Sequence, residues 1–236
     1  MPADTWSQAG TEDGVPSDVL FCWSGGKDSA MALDALRQRP DVRVRGLLTT
    51  VTVPYERISM HGVRRTLLLK QAEALGLPLE EVLIPAKCSN AVYESRMAAA
   101  LGGALARGIR TVAFGDIFLA DLRAYREQHL ARLAMRAIFP LWKRDTRELA
   151  REFGKLGFRA VVVAIDPQKL DRSFVGRELS REFFAELPPE VDPCGENGEF
   201  HTFVFAGPIF RAPIEIERGP AVERDGFVFC DVREKS

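Results

Sequence analysis

The chain of 236 residues has no long apolar run, no excess of either charge sign and no paired cysteines. Its longest apolar stretch, Met97 to Ala106, is about half of what a membrane-spanning helix requires, so no segment is expected to span or anchor. Lys and Arg total 32 against 33 Asp and Glu. That balance leaves no global field to hold the chain on nucleic acid or an anionic membrane, and such a partner would need a local patch. Cys22, Cys88, Cys194 and Cys230 lie far apart, with no C-x-x-C pair. Their spacing argues against a zinc knuckle, a redox centre or a persulfide carrier and fits a reducing cytoplasm. The first seventeen residues contain neither Lys nor Arg and no apolar block, which excludes a secretory signal and predicts a mobile tail over 1–17. What remains is a globular composition, 46% hydrophobic, in a chain long enough for one domain and a second, smaller one.

Hydrophobic periodicity divides the chain into alternating elements. Val19 to Trp23 is a short apolar run closed by Ser24-Gly25-Gly26, after which Ala30, Met31, Leu33, Ala35 and Leu36 recur as on a helix face. Val42 to Val53 and Val82 to Ile84 read as further strands, and Gly62 to Leu75 reads as a helix closed by Gly76 and Pro78. Ser89 is placed to cap an Ala-rich helix running to about Arg107, and Thr111 to Phe114 is a fourth strand ending at Gly115-Asp116. This alternation predicts an α/β domain over 18–137: a parallel sheet with helices on both faces. From Pro140 onward a helix from Thr146 to Leu156, a buried strand from Ala160 to Ile165 and an amphipathic segment from Arg177 to Leu187 lead to the Pro188-Pro189 break. Apolar runs at Phe203 to Phe205, Ile209 to Ile216 and Phe227 to Val232 then predict a small antiparallel sheet, so 138–236 reads as an α+β unit.

The chemistry concentrates in Ser24-Gly25-Gly26-Lys27-Asp28-Ser29, between a strand and a helix, where backbone N–H groups and a helix N-terminus converge. Phosphate is the natural occupant. Gly25 and Gly26 let the backbone approach an anion, Ser24 and Ser29 offer hydroxyls, and Lys27 offers positive charge. A carboxylate beside phosphate is repulsive unless a cation lies between them, which assigns Asp28 to Mg²⁺. The string is not a Walker A loop, because Phe21 stands where the first glycine is required and Lys27 is followed by Asp28. Nor is it a nucleophile elbow, because Cys22 occupies the first glycine position.

Elsewhere the readings stay open. Asp116 either caps the next helix or faces a ligand at the C-terminal end of the sheet with Gly115. Arg123, Arg126, Arg132 and Arg136 read as a solvated helix face, with Arg123 carried as a binding candidate. Glu196, Glu199 and His201, gathered by two glycines, are candidate acid/base groups or the lead into a strand. His61 is either a polar cap or a group facing a nucleotide.

The S-G-G-K-D-S string resembles the pyrophosphate-binding loop of the N-type ATP pyrophosphatases, which cleave ATP to AMP and pyrophosphate and activate an acceptor as its adenylate. Met60-His61-Gly62, Gly115-Asp116-Ile117 with Arg123 and Glu127, Pro140-Leu141-Trp142 and the run from Gly195 to Thr202 extend the likeness to the diphthine–ammonia ligase family, from about Val19 to Val232. That resemblance implies a Rossmann-like domain of the HUP type that binds ATP with Mg²⁺. It also implies a C-terminal domain that receives an acceptor carboxylate, adenylated and then amidated by ammonia. Lys27, Asp28, Glu196, Glu199 and His201 would be catalytic, and Ser24 to Ser29, Gly115, Asp116 and Arg123 would hold nucleotide. His201 stands where the archaeal and eukaryotic pattern has Glu, and Asp121-Leu122 where it has Tyr-Gln, so this form resembles the bacterial branch. The acceptor, on a small molecule or a protein, is left open, and a homodimer is allowed. The alternatives are a tRNA-modifying ATP pyrophosphatase, disfavoured by the balanced charge and absent C-x-x-C, and a non-catalytic ATP-binding protein of the same fold.

Overall fold

The computed structural model describes residues 15–59 and 61–235. Of the expected tail, residues 1–14 lie outside the described residues, as does Met60, and Ser17 already opens the first strand. The N-terminal elements are β1 (Ser17–Cys22), α1 (Lys27–Arg37), β2 (Val42–Thr52), β3 (Arg57–Ile58), α2 (Arg65–Leu75), β4 (Leu79–Ile84), α3 (Asn90–Ala106), β5 (Thr111–Ala113), α4 (Ala120–Ala131) and β6 (Arg136–Ile138). After them come α5 (Thr146–Lys155), β7 (Arg159–Ile165), α6 (Arg181–Glu186), β8 (Phe200–Ala206), β9 (Ile216–Arg224) and β10 (Phe227–Glu234).

Five strands pair in parallel in the order β4-β2-β1-β5-β6, and the two-residue β3 runs antiparallel to the end of β2. Alternate residues of β1 serve the two faces, as the two-residue period of a strand requires. Val19 and Phe21 join one core, while Leu20 joins a second with Val112, Leu101 and Leu130. The first core continues without a break into the C-terminal region through Val161, Phe203 and Val204. Helix α1, with Ala30, Met31, Leu33 and Leu36 all buried, is therefore enclosed on two sides. The α/β sheet with helices on both faces, expected from the alternation, is what the chain forms. Among the described residues no helix is long and apolar enough to cross a membrane.

The C-terminal sheet is antiparallel throughout, in the order β8-β7-β10-β9. One expectation there needs correction. Ile209 to Ile216 is not a strand: residues 207–215 form turns and irregular chain, although Ile209, Phe210 and Ile214 are buried. The run is apolar because the loop packs on the core. The strand begins at Ile216 and continues through exposed, charged residues with Gly219 and Pro220, at the edge of the sheet where proline is tolerated.

The two sheets are joined by polar ties. Asp231 of β10 accepts hydrogen bonds from Arg57 (2.8 Å) and from Arg64 (2.6 and 3.0 Å). Gln71 of α2 is fully buried: its amide nitrogen donates to the carbonyls of Gly25 (3.0 Å) and Val204 (2.7 Å), and its oxygen accepts from the Trp23 indole (2.9 Å). Replacement of Gln71 by Leu keeps the volume but leaves the indole N–H and the Val204 carbonyl unpaired in the core. We expect Gln71→Leu to lose about 2–5 kcal/mol, read as a lowered urea midpoint at unchanged slope. A wild-type midpoint would contradict the role given to this amide.

Candidate active site

The order of the parallel strands reverses at the neighbours β1 and β5, and ligands bind open α/β sheets beyond the C-terminal ends of such a pair. Both ends carry a predicted motif: Ser24 to Ser29 follows β1, and Gly115-Asp116 follows β5. Between them and the C-terminal loop 194–202 lies a crevice of about 270 Å³.

The loop after β1 is held from behind. The Gly25 carbonyl accepts the Val204 N–H (2.9 Å) as well as the Gln71 amide, and the Lys27 N–H donates to Thr202 Oγ1 (3.0 Å). The Ser24 and Ser29 hydroxyls bond each other (2.8 Å) and take the Ser24 and Gly26 N–H groups, so they brace the turn. Gly25 has φ +81°, and a β-carbon there would meet Gln71 Oε1 at 2.7 Å, so only glycine fits. Gly115 is required for a different reason: a β-carbon on it would lie 3.1 Å from the Ser29 nitrogen, where β5 exits against the first turn of α1. Gly26 caps α1, and no side chain fills the capping position, unlike Ser89 on α3 or Asp145 on α5.

Lys27 is 3% exposed. Its ammonium bonds the Asp28 carboxylate (2.8 Å) and the Cys194 carbonyl and lies 5.4 Å from the centre of the Phe200 ring. Burial works against its charge, but the Asp28 carboxylate and the surrounding loop outweigh it, so Lys27 stays protonated. Asp28 is pushed up by burial, only partly offset by Lys27. Its second oxygen, Oδ1, is buried without a hydrogen-bond partner. A hard oxygen donor in that position suits a cation such as Mg²⁺. Among the described residues no three His, Cys, Asp or Glu side chains cluster as metal ligands, so phosphate and water would supply the rest of its shell.

On the opposite wall Asp116 does not cap α4, whose N-cap is Leu119. It pairs with Arg126, at 3.1 Å from Nη2 and 2.9 Å from Nε, and that guanidinium lies 4.4 Å from the centre of the Phe114 ring. Arg126 lines the crevice. Arg123, the arginine favoured from sequence, is not among the lining residues: it lies over the Phe139 and Trp142 rings and pairs with Glu127 at 2.7 Å.

The three titratable groups of the C-terminal loop part company. Glu196 lines the crevice, and its Oε1 accepts the Ile117 (2.8 Å) and Phe118 (3.4 Å) N–H groups, closing the loop onto the exit of β5. Burial pushes its carboxyl up to about 7, and the Ile117 N–H opposes the shift. His201 also lines the crevice, with its ring centre 4.6 Å from that of His61. Glu199 is 4% exposed and turned into its own loop, accepting from Asp192 N (3.0 Å), Asn197 N (3.0 Å) and Asn197 Nδ2 (3.1 Å). It shapes the loop and is not among the residues lining the crevice.

Three participants went unsingled by sequence reasoning: Gln71, Thr202 and Asp192, whose Oδ2 is buried and unpaired. For Gln71 the signal existed, since it lies on the helical face of Leu67, Leu68, Ala72 and Leu75, where a lone amide must satisfy buried partners. We expect Glu196 to titrate near pH 7, from about 4.5 in the unfolded chain. Because the folded value is raised, its contribution to stability is full below the unfolded value and is lost as pH rises through about 7. A carbon-13 titration of the side chain and the pH dependence of stability against Glu196→Gln check this. A carboxyl titrating in the ordinary range would contradict the geometry.

Comparison with known proteins matches residues 17–137 to the diphthamide synthase N-terminal domain and residues 145–235 to the diphthamide synthase C-terminal domain. Among curated relatives, proteins named diphthine–ammonia ligase from mouse and human are 29% identical over 132 residues and 27% over 120. These matches take in 52% and 48% of this chain and 48% and 45% of the relatives. One from Schizosaccharomyces pombe is 25% identical over 132 residues, 54% of this chain but 22% of that protein. The chain thus spans about half the length, or less, of the curated relatives it matches. With the two domain patterns following one another along nearly its whole length, the chain belongs to the diphthamide synthase family.

Proposed function

We propose that this protein is an ATP-dependent ligase that adenylates an acceptor carboxylate with release of pyrophosphate, then amidates it with ammonia and releases AMP. The observation that carries the reading is the Asp28 carboxylate: one oxygen on the buried Lys27 ammonium, the other buried and unpartnered, beside a helix N-terminus whose N-cap residue is glycine, at the strand-order reversal. The relatives' name supplies the acceptor class, diphthine, and the nitrogen donor, ammonia. On this reading residues 18–137 bind the nucleotide, 138–236 present the acceptor, and the enzyme works in the cytoplasm.

The residues divide the work. The loop from Ser24 to Ser29 and the N-terminus of α1 take the β- and γ-phosphates, and Lys27 offsets the charge that gathers on the departing pyrophosphate. Asp28 would hold Mg²⁺, which when bound screens the phosphates from one another and from this carboxylate. Arg126, oriented by Asp116, faces the crevice as a further cation for phosphate. An acceptor carboxylate oxygen attacks the α-phosphorus, and the resulting mixed anhydride makes its carbonyl reactive toward an amine. Glu196, poised near neutral, takes the proton that the new amide must lose.

The products distinguish this reaction from others. With diphthine and ammonium chloride, ATP should be consumed to AMP and pyrophosphate in equal amounts, and ADP with phosphate would contradict the reading. Asp28→Asn should lower that rate by about a hundredfold or more while the fold survives. An unaffected rate would remove Asp28 from the mechanism.

A further inference from the structure

His61 and His201 come from distant parts of the chain, the turn between β3 and α2 and strand β8, and meet in the crevice with ring centres 4.6 Å apart and planes tilted by 40°. His61 is fitted closely. A β-carbon on Gly26 would lie 3.2 Å from its Cε1, and its Nδ1 is buried with no hydrogen-bond partner. A neutral imidazole carries its proton on one ring nitrogen and leaves the other a bare acceptor. The wall thus offers an acceptor for an N–H donor, in a crevice where phosphate, carboxylate and carbonyl groups bring none.

The surroundings decide which N–H donor. Burial, then His201 and Lys27, hold His61 down to about 3, and burial with Lys27 holds His201 down to about 4. The other titratable groups facing the pair across the crevice are Asp28, Asp116, Arg126, Cys194 and Glu196. A place that refuses a proton to two imidazoles also disfavours a positive charge on a bound amine.

We propose that His61 and His201 form the amine subsite, and that it takes ammonia as the neutral molecule, one N–H of which donates to Nδ1 of His61. The proposal rests on the amidation reading above. The remaining steps balance. The ammonia lone pair forms the C–N bond, the carbonyl–oxygen bond to AMP breaks with its electron pair going to the phosphate, and the surplus proton passes from nitrogen to Glu196.

The test uses the full chain with ATP, Mg²⁺ and diphthine, and compares ammonium chloride with hydroxylamine, an amine already neutral at neutral pH. The KM for total ammonium should fall about tenfold per pH unit from about pH 6 to 8, following the fraction present as ammonia, while the KM for hydroxylamine stays level. His61→Phe keeps the ring and removes the lone pair. It should raise the ammonium KM by about tenfold with the KM for ATP changed far less, and His61→Asn, which restores an acceptor, should recover most of the loss. An ammonium KM that does not change with pH, beside active hydroxamate formation, would overturn the subsite and leave the ligase reading standing. So would an equal rise of both KM values in His61→Phe. Absence of AMP release with either amine would overturn both.

Discussion

The carbonyl oxygen of Gly25 receives two hydrogen bonds, from the Val204 backbone and from the buried Gln71 amide, and the geometry of the crevice depends on it. It fixes the phosphate loop to β8 from behind, at a residue whose positive φ leaves no room for a side chain. The same strand supplies Thr202 to the Lys27 N–H and places His201 beside His61. The loop after β1 and the edge strand β8 of the C-terminal sheet are therefore one rigid piece, where the proposed nucleotide and acceptor chemistry would meet. The continuous core on that side of β1 has the same consequence in apolar terms: neither half can move without opening packed surface.

Charge inside the crevice follows from burial more than from any single pair. Lys27 and Asp28 satisfy each other in part, yet the carboxylate keeps an unpaired oxygen, and Glu196 and the two histidines are all pushed toward their neutral forms. Such a site suits a reaction in which an anionic polyphosphate enters, leaves as pyrophosphate and AMP, and a neutral nucleophile must survive in between. The balanced charge of the chain is consistent with the proposed anion site being one loop rather than a basic face.

Much of this was legible in the sequence because it is contiguous. A loop that binds phosphate needs its glycines, lysine and carboxylate within six residues, and the Gly115 turn closes a strand of plain apolar character. The docking of that loop was not legible, because Lys27 and Thr202 are 175 residues apart and a hydroxyl accepting one N–H leaves no local pattern. Arg123 and Arg126 stand three residues apart on one helix, and spacing alone cannot tell which of the two lines the crevice. Glu199 looked like its neighbour Glu196 in composition, and only the fold shows one carboxylate turned into the loop and the other into the crevice. The short β3 and β6 span less than two full periods of a strand, and β9 is too polar and exposed to announce itself.

The central claim is that the helix N-terminus at Gly26 receives the polyphosphate and the free oxygen of Asp28 receives its Mg²⁺. A crystal structure with Mg²⁺ and an ATP analogue carrying a methylene bridge between the α- and β-phosphorus tests it most directly. The account predicts the β- and γ-phosphates against the Ser24 to Ser29 loop at the N-terminus of α1, with the cation bound to Asp28 Oδ1. Phosphates bound elsewhere, or a cation held without Asp28, would contradict it.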